Sequence, residues 1–139
     1  ELFHRIKCVD VVRMLSGDPW SWEYIEPGKL LNVLLTESVG LQALYDDAWA
    51  RSPATPTTPW SLLVAFDEFS PGNKLATDQL RKTMVLSFSF LELGGAALAR
   101  GTAWCTPVTV RTVTLTKVQL AIQVFLGLAL ESMFLYTDQ

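Results

Sequence analysis

The stretch Pro59-Trp60-Ser61-Leu62-Leu63-Val64-Ala65-Phe66-Asp67-Glu68-Phe69-Ser70-Pro71-Gly72-Asn73 decides how this chain is read, because an apolar run stops there at two adjacent carboxylates and a turn. A buried strand that delivers an acid to its carboxyl end is a common way of building an α/β site, since the loops beyond the strand ends form a crevice. The same residues also fit a plainer reading, an Asx-type turn whose acids face solvent.

Working outward, the C-terminal side supplies more strand signals. Met84 to Leu93 alternates in part, and Val108 to Leu115 is rich in valine and threonine, so three strands are expected, starting with Leu62 to Phe66. Pro71-Gly72-Asn73 separates the first two, Gly94-Gly95 ends the second, and Pro107 opens the third. Val118 to Tyr136 then reads two ways. It is close to the roughly 20 residues that cross a bilayer. Glu131 and two glutamines inside it oppose insertion and favour a helix packed over a sheet.

Upstream, Ser52-Pro53-Ala54-Thr55-Pro56-Thr57-Thr58-Pro59 cannot sustain helix or central strand and marks a boundary. Before it, Phe3, Ile6, Val9, Val12 and Leu15 fall near one helical face, and Ser16-Gly17-Asp18-Pro19 supplies a stop. Further helix is expected after Pro27-Gly28, broken near Gly40 and capped by Thr36 or Ser38. Trp20-Ser21-Trp22-Glu23-Tyr24 is either a ligand platform or a set of rings covering an apolar core. The expected organisation is a helical region over 1–52, a Pro/Thr-rich linker over 53–59, and an α/β unit over 60–139.

Composition narrows the chemistry. The chain has 139 residues, half of them hydrophobic, which suits one domain with a core of its own. Eleven basic residues against fourteen acidic ones leave a net charge of −3, which does not support nucleic-acid binding by the chain alone. Cys8 and Cys105 are far apart and without nearby histidines, so neither a zinc cluster nor a disulfide framework can be argued from their spacing, and any His-based triad would depend on His4, the one histidine, near a terminus. The chain opens at Glu1, which suggests a fragment or processed product, and no signal peptide pattern is visible.

Strand, strand, strand, helix, with an acid on the first strand, is the opening of the ribonuclease H-like fold. The expected fold class is therefore α/β, N-terminal helices followed by a partial ribonuclease H-like β-β-β-α unit. The alternative is a mainly α chain with one transmembrane helix. Two-metal phosphoryl transfer in the former requires carboxylates because Mg²⁺ prefers oxygen ligands.

A resemblance rests on Trp60 to Leu75, Arg81-Lys82, Ser89-Phe90-Leu91-Glu92-Leu93-Gly94 and Ala103-Trp104. These segments resemble uncharacterised, transposon-derived, transposase-like proteins abundant in dinoflagellate genomes, over roughly Leu41 to Phe134. More distantly, the Asp67 region is similar to the start of the catalytic domain of some DNA transposases. The resemblance implies a transposase-derived domain, truncated or catalytically inactive, placed in the nucleus. It implies Asp67 as first metal ligand, Glu68 as its alternative or neighbour, and Mg²⁺ as the cofactor. Glu131 and Asp138 are the later acids that could complete a site. After Lys117 the chain departs from the family pattern, with Val118-Gln119-Leu120-Ala121 in place of a Gly-Gly-rich continuation.

Lys74, Arg81 and Lys82 could flank phosphates near Asp67, or form a solvated edge. Three strands alone leave an open edge and an uncovered face, so a protein partner or a homo-oligomer is expected. The competing expectation is a structural or accessory subunit of a larger, membrane-embedded (photosynthetic) assembly, held through 118–136 as a transmembrane helix.

Overall fold

A computed structural model describes residues 6–70 and 81–134. Its first elements are two strands, β1 (Lys7–Arg13) and β2 (Pro19–Ile25), paired antiparallel with Cys8 opposite Tyr24, Asp10 opposite Trp22 and Val12 opposite Trp20. This corrects the helix expected from Phe3 to Leu15 as far as residues 7–13 are concerned, while Phe3 lies outside the described residues. Cys8, Asp10 and Val12 turn inward while Val9 and Val11 stand exposed, a period of two that outweighs the i, i+3 spacing of Ile6, Val9, Val12 and Leu15. Trp20, Trp22 and Tyr24 share the inward face of β2, where β-favouring rings fit a pleated surface. The stop at Ser16-Gly17-Asp18 is a hairpin turn. Gly17 takes φ +91°, and the Met14 N–H donates to the Asp18 carbonyl at 2.9 Å.

Two helices follow as expected, α1 (Pro27–Glu37) and α2 (Val39–Arg51). Pro27 sits in the first turn, where its missing N–H costs no helical bond. The break falls at Ser38, whose hydroxyl accepts from the Leu41 N–H at 3.3 Å and caps α2.

A three-stranded antiparallel sheet runs in the order β3 (Leu62–Phe69), β4 (Thr83–Phe90), β5 (Cys105–Arg111). All three expected strands are present with shifted ends. β3 extends past Asp67 and Glu68, which lie within the ladder opposite Val85 and Met84. β5 starts at Cys105, and a register shift between Leu86 and Phe88 leaves Pro107 without a ladder partner, where its lack of a donor does no harm. The turn at 71–73 and Lys74 lie outside the described residues.

Between β4 and β5 come a 3₁₀ turn (Leu91–Leu93), the short α3 (Gly95–Leu98) and a second 3₁₀ turn (Gly101–Ala103). The one-turn α4 (Thr112–Leu115) and then α5 (Ala121–Phe134) close the order. At fourteen residues, α5 is about 21 Å long at 1.5 Å per residue, short of a bilayer core. Among the described residues no helix is long and apolar enough to cross a membrane, which counts against the mainly α alternative with its span over 118–136.

One core joins the first hairpin to the later sheet and α5. Val12, Trp22, Tyr24, Leu86, Val108 and Phe125 are buried together, with Phe66 and Met84 packed against them. Trp22 meets Phe125 edge to face at 4.4 Å and 86°, and stacks on Tyr24 at 4.4 Å. The Leu15 N–H also donates to the Lys117 carbonyl at 2.7 Å, and the Gln119 N–H to that of Arg13 at 3.0 Å, tying the hairpin to the entry of α5. A second cluster, Tyr45, Ala48, Leu93 and Ala103 with Trp60, Phe90 and Trp104 around it, seats α2 against the segment after β4.

Candidate functional site

Alternation along β3 places its two acids on opposite sides of the sheet. Phe66 packs against the core, and Asp67 follows it on the other face, in a cross-strand row with Val85 and Thr109. Asp67 is exposed, and its Oδ1 accepts the Glu68 N–H at 2.8 Å. The local bond resembles the turn-type carboxylate considered above, but inside a strand.

Glu68 is held by side chains just before β4 and just after β5. Its Oε1 accepts the Thr112 hydroxyl at 2.6 Å, and its Oε2 lies 3.3 Å from Lys82 Nζ. The Thr112 hydrogen bond and then Lys82 hold the carboxyl below the usual glutamate range. The Thr112 N–H donates in turn to the Lys82 carbonyl at 2.9 Å, so Glu68 works as a clasp over the ends of β3, β4 and β5.

Glu131 lies on α5, two residues beyond the fully buried Ala129, about 200° further around the helix, and is exposed. Phe125 and Ala129 face the same core as Phe66. The sheet and the helix therefore stand between Asp67 and Glu131. Asp138 lies outside the described residues. Among those residues no group of three His, Cys, Asp or Glu side chains is placed to hold a metal ion. Among the described residues, Asp67 is bonded locally, Glu68 is clasped and Glu131 lies across the core, so these three carboxylates do not converge on one point.

Around Asp67 the sheet face is small and polar. Ser87 and Thr106 bond through their hydroxyls at 2.7 Å, beside Ala65. This is the face turned away from α5, and Thr106, Thr109 and Asp67 on it are exposed.

A second polar group sits on the first hairpin, where helix had been expected. The Tyr24 hydroxyl donates to Asp10 Oδ2 at 2.7 Å, and burial followed by that bond raises its pKa. Glu26 is buried and pairs with Lys29 at 2.7 Å, while its Oε1 has no hydrogen-bond partner among the described residues. Burial, then Glu26, pushes the Cys8 thiol up. Reading Trp20-Ser21-Trp22-Glu23-Tyr24 as an alternating strand would have placed Asp10 and Tyr24 on one face. Cys105 is buried, which pushes its thiol up to about 11 and makes it a poor nucleophile. Comparison with protein-family models, curated proteins and solved structures finds no match to this chain.

Proposed function

We propose that this chain is a transposase-derived β-β-β-α unit of ribonuclease H-like type that performs no catalysis itself and acts as a self-associating structural module. The observation that carries the association is the edge of β3. Among the described residues β3 pairs with β4 alone, and its first five residues, Leu62 to Phe66, carry no charge or proline to blunt the free edge. Val64 is 41% exposed there.

The occupant of that edge is a second copy of β3. An antiparallel pairing about a two-fold axis at Val64 sets Leu62 opposite Phe66 of the other copy, and Asp67 opposite Ser61. No like charges then face each other, and apolar side chains pair on the face that already packs on the core. The transposase-like ancestry is supported by the strand order, the helix laid on one face, and Asp67 near the carboxyl end of the first strand of the sheet. The absence of catalysis is supported by the separation of Asp67 from Glu131. Light scattering on the wild type and on Val64→Lys tests the association. A dimer that the lysine abolishes supports it, and a monomeric wild type overturns it.

A further inference from the structure

The corner between α1 and α2, together with residues 97–104, lines a half-open cavity of about 810 Å³, a size typical of small-molecule sites. Leu34, Leu41, Leu44, Ala97 and Trp104 supply apolar walls. The Trp104 indole N–H already donates to the Leu98 carbonyl at 2.9 Å, which leaves the ring for apolar contact. Ser38, another lining residue, is engaged in capping α2.

Among the described residues, Arg100 is the one charged residue on this lining. It is exposed, and among the described residues its guanidinium has neither an ion pair nor a hydrogen bond. Among the described residues no Asp or Glu lines the cavity to neutralise it. An unpaired guanidinium at the margin of an apolar cavity complements a carboxylate, which it can grip with two parallel hydrogen bonds.

We propose that this cavity binds an apolar monoanion, an acyl or aryl carboxylate, with its body against Leu34, Leu41, Leu44 and Trp104 and its carboxylate on Arg100. The site is separate from the β3 edge and does not depend on self-association.

The test uses the full chain titrated calorimetrically with decanoate, decanol and decyltrimethylammonium below their micelle concentrations. Decanoate binds saturably, one per chain, and roughly ten-fold or more tighter than the other two, as a charge-assisted contact requires. Arg100→Gln reduces decanoate to the level of decanol. Gly40→Phe removes binding of both, because Gly40 lines the cavity and an added Cβ there meets nothing within 4 Å. Circular dichroism checks that this variant is folded, and Ala43→Phe, on the same lining, replaces it if it is not. Failure of decanoate to saturate overturns the proposal. So does an anion preference that survives Arg100→Gln, or binding that survives the folded blocking variant.

Discussion

Phe66 and Asp67 are neighbours on β3 that serve opposite faces of the sheet, Phe66 packing on the core shared with Phe125 and Asp67 standing exposed beside Val85 and Thr109. Everything inferred about the carboxylates follows from this alternation. A strand that buries Phe66 under α5 must aim Asp67 away from it, and so away from Glu131.

Asp67→Asn should therefore be a quiet substitution. Its melting temperature should match the wild type within the spread of surface changes, about 0.5 kcal/mol. Thermal shift in Mg²⁺ or Mn²⁺ should leave both proteins equally unchanged. A metal-dependent rise in the wild type that disappears in Asp67→Asn would instead show a metal held at that residue.

Phe125 carries the contact between the first hairpin and α5, meeting both Trp22 and Trp20, and is fully buried. Phe125→Ala should cost about 3–5 kcal/mol, read by urea denaturation. Loss of less than about 1 kcal/mol would mean that the hairpin and α5 do not share a core.

Cys105 makes stability depend on alkaline pH. Its thiol is raised from 9 to about 11 by burial, so between those values the folded protein retains a proton that the unfolded chain has released. The contribution is fully present below pH 9 and is lost as pH rises towards about 11. Its upper bound is about 3 kcal/mol. Thermal melts across that range should fall more steeply for the wild type than for Cys105→Ala. Parallel slopes would contradict the placement of Cys105 in the interior.

Leu120 has φ +56° and is 67% exposed, just before α5. A left-handed backbone strains a residue with a Cβ, and little burial is lost by removing this side chain. Leu120→Gly should stabilise the fold by up to about 1 kcal/mol, measured by denaturant midpoint. A destabilised variant would show that the turn has another conformation.

Much of the sheet was legible in sequence because its signals were local. The apolar run at Leu62–Phe66, the Val/Thr run near 108 and the linker at Ser52–Pro59 each stand out from their flanks. The cap of α2 was narrowed in sequence to Thr36 or Ser38, and it is Ser38. The first hairpin is ambiguous in sequence because Ile6, Val9, Val12 and Leu15 satisfy helical spacing while Cys8, Asp10 and Val12 satisfy strand spacing. Only pairing with Trp20, Trp22 and Tyr24 resolves the choice, and pairing is non-local. The acids posed the same difficulty. Which face Asp67 serves, and that Glu68 is clasped by Lys82 and Thr112, depend on contacts spanning up to 44 residues.

The most direct measurement is the mass of the chain in solution by light scattering over a concentration series, with Val64→Lys run beside the wild type. Association through β3 gives a wild-type dimer and a folded, monomeric lysine variant. A wild type that stays monomeric at the highest concentration, or a dimer that persists in Val64→Lys, would contradict it.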